Sequence, residues 1–128
     1  MIQSAYLVFP VYDLKTTMDY YQKVYGFKSD PRFNVIAPLV ILKRDKARII
    51  LTYGATRVKP NRELYGYGFD AYFNTPDPLA LQKEFVDKGA KLIKPVVVTE
   101  YGTTEFIVED NDGRWLAFAA KQKTGKKT

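Results

Sequence analysis

The chain has no cysteine and no histidine. Without thiols, disulfide scaffolds, thiolate metal sites and cysteine nucleophiles are excluded. Without imidazole, the commonest general base and the commonest transition-metal ligand are missing too. Long hydrophobic runs are also lacking. No segment approaches the roughly 20 apolar residues that cross a bilayer, and the N-terminus has no basic region followed by an apolar stretch, so a soluble cytoplasmic protein with no membrane contact is expected. Nor does the body carry a large excess of one charge. Of 20 basic residues, Lys121, Lys123, Lys126 and Lys127 fall at the very end, where there is no acid, which leaves 16 basic against 14 acidic side chains over residues 1–120. A nucleic-acid partner is not expected, because Lys43, Arg44, Lys46 and Arg48 are spread over a turn and a strand start and form no basic face.

Aromatic residues are abundant: ten tyrosines and eight phenylalanines in 128 residues, within a hydrophobic share of 46%. That is enough for one globular domain with a continuous core, and packing is the ordinary use of most of these rings.

Periodicity divides the chain into two similar halves. In residues 5–11, Leu7, Phe9 and Val11 share one face of a half-buried strand. Asp13 supplies a helix N-cap, Leu14, Met18, Tyr21 and Tyr25 recur at helical spacing, and Gly26 suits the left-handed residue past the helix end. Strands are expected at about 27–34, 37–43 and 47–53, with a polar turn at Lys43-Arg44-Asp45-Lys46. The order then repeats. Residues 68–74 alternate, Asp77-Pro78 starts a helix, Leu81 and Phe85 carry its apolar stripe and Gly89 ends it. Strands follow at about 90–98, 103–109 and 114–120, the last two joined across Asp110-Asn111-Asp112-Gly113 as a hairpin. Asp13 and Asp77 lie 64 positions apart, as do Tyr21 and Phe85. The pattern predicts an α+β fold of duplicated β-α-β-β-β units: a first module at 1–53, a polar linker at 54–67, a second module at 68–120 and a disordered basic tail at 121–128. Each four-stranded sheet would carry a helix on one face, and two such sheets would border a cleft.

Two stretches resemble the vicinal oxygen chelate superfamily, which includes glyoxalase I, extradiol dioxygenases, fosfomycin-resistance enzymes and bleomycin-resistance proteins. The run Asp13-Leu14 to Tyr20-Tyr21 to Gly26-Phe27 looks like the family's D-L-x(5)-F-Y-x(4)-G-F, and Asp110-Asn111-Asp112-Gly113 looks like its D-P-D-G hairpin. The stretch Thr99-Glu100-Tyr101-Gly102-Thr103-Thr104-Glu105-Phe106 is similar to the bleomycin-resistance pattern of P-W-G before R-E-F, with Tyr101 in the tryptophan position.

The resemblance implies curved mixed sheets around a cleft, often paired across a dimer. It also implies four metal ligands, His or Gln, Glu, His and Glu, on the first, fourth, fifth and eighth strands. Spacing from the flanking motifs puts Tyr6, Ile50, Asp70 and Ala117 at those positions. Only Asp70 of the four suits a divalent ion, so neither a metal nor any other cofactor is expected. Strand parity turns Tyr6, Val8, Arg48, Ile50, Thr52, Asp70, Tyr72, Asn74, Trp115 and Ala117 towards the cleft, and Ile49, Leu51, Leu116 and Phe118 towards the helices. The expected ligand-binding set is Tyr6, Arg48, Ile50, Asp70, Tyr72, Tyr101, Trp115 and Ala117, with no catalytic residue assigned. Asp70 is expected to be a polar cleft residue paired with a neighbour such as Arg48 in preference to a catalytic group, since structural ion pairs also place carboxylates in clefts.

These residues point to a homodimeric, non-catalytic protein that binds a small planar organic compound between aromatic rings. The mildly basic body and Arg48 favour a neutral or anionic ligand. Two alternatives remain. One is a lyase, isomerase or dioxygenase with a degenerate or metal-free site, using Asp70 with Tyr6 or Tyr72. The other is an interaction subunit whose cleft is filled and whose basic tail meets acidic partners.

Overall fold

A computed structural model describes residues 1–32, 39–54 and 56–121. These residues form two mixed four-stranded sheets with helices, the α+β class that the repeat predicts. They divide into two compact units, Met1–Lys59 with Asn111–Gly113, and Pro60–Asp110 with the residues from Arg114 onwards.

The first unit holds β1 (Leu7–Val11), α1 (Leu14–Tyr25), β2 (Lys28–Arg32), β3 (Leu39–Arg44) and β4 (Ala47–Tyr53). Its sheet runs β1-β4-β3-β2, with β1 parallel to β4 and the other pairs antiparallel. Asp13 caps α1 by accepting from the Thr16 amide at 3.0 Å, and Gly26 ends it at φ 71°, a conformation that only glycine adopts without penalty. The buried stripe of α1 is Thr17, Tyr21, Val24 and Tyr25. The Tyr21 ring meets Phe9, Tyr25 and Phe27 edge-on, with centroids 6.4, 5.0 and 5.8 Å away. Edge-on contacts of this kind add about 0.5–1.5 kcal/mol each beyond the area buried.

The second unit holds α2 (Asn61–Tyr65), β5 (Ala71–Asn74), α3 (Pro78–Asp87), β6 (Lys91–Val98), β7 (Thr103–Glu109) and β8 (Trp115–Lys121). Its sheet runs β5-β8-β7-β6, the same connectivity as the first. Asp77 caps α3 through the Ala80 amide at 3.1 Å, and Pro78 starts the helix, where its missing N–H costs nothing. The core beneath α3 is a row of rings in register, Phe73, Phe118 and Phe106, with Phe85 of α3 set against the last two at 5.1 and 6.0 Å. Among the described residues the strand prolines, Pro10, Pro31 and Pro95, lie on edge strands, where a missing amide removes no ladder bond from the sheet interior.

Several boundaries differ from the sequence expectation. β1 begins at Leu7 rather than residue 5, and β5 at Ala71 rather than 68, so Tyr6 and Asp70 precede their strands. The stretch expected to be a polar linker contains α2, which groups with the second unit. β8 runs through Lys121, so the expected tail loses its first residue to a strand, and 122–128 lie outside the described residues. The inner ends of the strands expected at 27–34 and 37–43 also lie outside them. No helix among the described residues is long and apolar enough to cross a membrane.

Candidate functional site

Each sheet has one face packed on its helix and another turned away from it. Ile49, Leu51, Leu116 and Phe118 lie on the helix side and are buried, as alternation requires. The residues between them therefore point the other way, and those of the second unit gather the chemistry.

On that face of the second sheet, Ala117 lies between Tyr72 and Ile107, and the next row places Ala119 between Asn74 and Glu105. Ile107, Ala117 and Ala119 are buried. They make a low floor. At one end of it stands Trp115, paired across the ladder with Glu109, which in turn pairs with Lys91. The indole Nε1–H donates to Glu109 Oε1 at 3.0 Å, Arg62 of α2 donates to the same oxygen at 3.3 Å, and Lys91 Nζ donates to Oε2 at 2.9 Å. The Arg62 guanidinium carbon sits 4.7 Å from the centroid of the Trp115 ring, a cation–π contact on one face of the indole. Burial raises the Glu109 carboxyl, but the hydrogen bonds from Lys91 and Trp115, with the charges of Lys91 and Arg62, outweigh it and hold the group below its usual 4.5.

At the other end Glu105, 2% exposed, collects three hydroxyls on one oxygen. Tyr101 and Thr103 each donate to Oε1 at 2.8 Å and Tyr72 at 3.5 Å. The bond to Glu105, with burial second, raises the Tyr101 phenol above its usual 10.0, so Tyr101 stays a donor throughout the neutral range. The Glu105 row lies four residues along β7 from the Glu109 row, a separation of about 13 Å at strand rise.

The predicted residues are distributed unevenly. Asp70, Tyr72, Tyr101, Trp115 and Ala117 all belong to the second unit. Asp70 is a main-chain clamp there: Oδ1 accepts from the Asn61 amide at 2.8 Å and Oδ2 from the Trp115 amide at 3.0 Å. This corrects the expected pairing with Arg48. It also fixes the start of α2, and so Arg62, against the start of β8. In the first unit, Tyr6 is 46% exposed and Ile50 lies between Val8 and Ile41 on the face away from α1. Arg48 Nη1 donates to the carbonyls of Asp45 and Ala47 at 2.7 and 2.8 Å, a local closure of the β3–β4 hairpin.

The metal positions implied by the resemblance do not fit an ion. Tyr6, Ile50 and Ala117 bring at most a phenol, and both oxygens of Asp70 are engaged by amides. No group of three His, Cys, Asp or Glu side chains that could hold a metal occurs among the described residues.

Glu105, Glu109 and Arg62 were missed by the sequence reading. For the two acids a signal exists: Thr103, Glu105, Ile107 and Glu109 alternate onto the face opposite Phe106 and Val108. For Arg62, in a stretch with no strand or helix pattern strong enough to place it, there is none.

Two predictions follow from these bonds. Asp70→Ala leaves two amides without their acceptor and is expected to cost about 1.5–3 kcal/mol, the range for bonds to a charged group, in urea unfolding. A loss under 0.5 kcal/mol would mean water replaces the carboxylate. The second concerns acid. Because the folded Glu109 carboxyl sits below its unfolded value of 4.5, its contribution to stability is present above that value and is lost as pH falls through the lower folded value. Emission from Trp115, the sole tryptophan, should shift at that lower pH as the acceptor of its Nε1–H loses its negative charge, and Lys91→Gln should move the shift upwards. An unchanged midpoint in the variant would rule out Lys91 as a cause.

Residues 3–118 match the Glyoxalase/Bleomycin resistance protein/Dioxygenase superfamily. Among curated proteins none matches this sequence significantly. Solved structures share the fold. The integron cassette protein VCH_CASS1 from V. cholerae is 24% identical, with 94% of this chain and 95% of that one covered and a TM-score of 0.67. TioX from Micromonospora sp. ML1 is 14% identical over 93% and 98%, at TM-score 0.72. A glyoxalase-related enzyme from Clostridium phytofermentans is 15% identical over 94% and 96%, at 0.74. With the match spanning both β-α-β-β-β units, the chain belongs to the Glyoxalase/Bleomycin resistance protein/Dioxygenase superfamily.

Proposed function

We propose that this protein binds a small planar organic molecule, without metal, on the face of the second sheet turned away from α3. The observation that carries this reading is a floor of Ala117, Ala119 and Ile107 bordered by Trp115, Tyr72 and Tyr101. The rings standing beside these small residues give a flat molecule apolar surface to lie against. Tyr72 and Tyr101 remain 40% and 65% exposed, so their rings are available for such contact. A catalytic reading of the predicted residues is weaker, because a base needs a free oxygen and both oxygens of Asp70 hold amides.

Native mass spectrometry of the purified protein tests the reading. A co-purifying organic mass of one per chain supports it, and one equivalent of zinc, nickel or iron per chain by elemental analysis after dialysis overturns it. The same reading takes the protein to work in the cytoplasm as a homodimer, because Val8, Tyr6, Tyr12 and Tyr53 in the first unit expose 58, 46, 61 and 62% of their surface, more apolar area than a monomer keeps in water at no cost. Sedimentation at micromolar concentration should give a species of twice 14.7 kDa. A monomer there would remove the dimer from the reading.

A further inference from the structure

Two carboxylates of β7 stand on the same face of the second sheet, and their surroundings differ. Glu109 is neutralised at both oxygens, by Trp115 and Arg62 on one and by Lys91 on the other. Glu105 has three hydroxyls on Oε1 and, among the described residues, nothing on Oε2 and no cation as partner. Yet Glu105 is the more buried of the two, at 2% exposure. A buried acceptor with no partner is costly, and native proteins keep few of them. The hydroxyls cannot supply what is missing, because neutral donors satisfy lone pairs but leave the carboxylate's charge uncompensated.

We infer that Glu105 Oε2 is the anchor for a positively charged or strongly polarised N–H group of the ligand, so that the molecule bound on this face is a planar nitrogen cation and not an anion. The inference rests on the planar-ligand reading above and reverses the charge expected from the sequence. That expectation depended on the mildly basic body and on Arg48, and the Arg48 guanidinium closes its own hairpin. Tyr101, Thr103 and Tyr72 converge on Oε1 and so set the direction in which Oε2 points. Trp115 supplies the other end: Arg62 covers one face of the indole, and no ring stacks on it among the described residues. The rows of Trp115 and Glu105 are about 13 Å apart, within the reach of a fused three-ring system that carries nitrogen at its far end.

The test compares two flat three-ring probes of opposite charge, proflavine and 9-anthracenecarboxylate, titrated into the full chain. The unmodified protein should bind proflavine about tenfold to a hundredfold more tightly than the anthracene acid, the range for one charge-assisted hydrogen bond. Proflavine should quench Trp115 saturably at one site per chain. Glu105→Gln should lose most of that preference while leaving affinity for the anthracene acid level or higher. Equal affinity of the two probes on the unmodified chain, as expected if a water is held on Oε2, overturns the inference and leaves the planar-ligand reading standing. So does proflavine affinity that Glu105→Gln does not change. Binding of neither probe overturns both. Should Glu105→Gln fail to fold, the two-probe comparison on the unmodified chain decides alone.

Discussion

Arg114→Ala is expected to lower the free energy of unfolding by about 3–5 kcal/mol, the cost of breaking a buried ion pair by removing its cation. Arg114 is 3% exposed as a side chain and Asp110 not at all, and Nη1 stands 3.3 Å from Oδ2. The pair is tied to the main chain as well. Asp110 Oδ1 accepts from the Arg114 amide at 2.9 Å, and the Asp110 amide donates to the Arg114 carbonyl at 2.8 Å, so one residue pair closes the β7–β8 hairpin. A whole domain is stable by only about 5–15 kcal/mol, which makes this a large fraction of the total. Arg114→Met separates charge from packing, since it keeps an apolar stem but no cation. If both variants lose the same amount in urea unfolding, the charge is the cause. If Arg114→Met is nearly neutral, the loss in Arg114→Ala is packing, and the ion-pair account is wrong. Adding Asp110→Asn to Arg114→Met should recover part of the loss, because the carboxylate that lost its cation is then neutral.

What the sequence revealed and what it hid follow from how local each cause is. Asp13, Gly26, Asp77 and Pro78 act within one helical turn, so their spacing alone places α1 and α3, and the structure has each in the expected role. Alternation is equally local, and it assigns Ile49, Leu51, Leu116 and Phe118 to the helix side of their sheets. The contents of the candidate site are not local. Asp70 meets the Trp115 amide across 45 positions, and Arg62 meets Glu109 across 47. No periodicity encodes such pairs. Arg48 shows the opposite hazard: parity placed it on a candidate ligand face, but two carbonyls within three residues claim its guanidinium. A strand residue beside a turn meets turn carbonyls before it meets anything across the fold. The two helix-sheet units were legible because their patterns repeat. The five-residue α2 was not, because it is too short for an apolar stripe and has no side-chain cap.

Trp115→Ala is expected to weaken proflavine binding by about 2–4 kcal/mol, roughly thirtyfold to a thousandfold, the loss typical of a central aromatic contact. The indole gives a flat ligand its largest single surface on the candidate face, and that surface is held rigid before binding. Its Nε1–H is fixed on Glu109, one face lies under Arg62, and Asp70 holds the main-chain amide of the same residue. Less rotational freedom is therefore lost when a ring stacks on it than would be lost at an unsupported side chain. Because the variant has no tryptophan, binding is read from the anisotropy of the probe itself. Trp115→Phe should recover part of the affinity, since a smaller ring still stacks but cannot donate to Glu109. Arg62→Ala gives the control for preorganisation: the indole remains, one support is gone, and affinity should fall less than in Trp115→Ala. The fold should survive each change, because the network is half-buried at the hairpin end of β7 and β8 and the Phe73, Phe118 and Phe106 row that holds the unit lies on the opposite face. Proflavine bound as tightly by Trp115→Ala as by the unmodified chain would place the ligand elsewhere and remove the argument for this face.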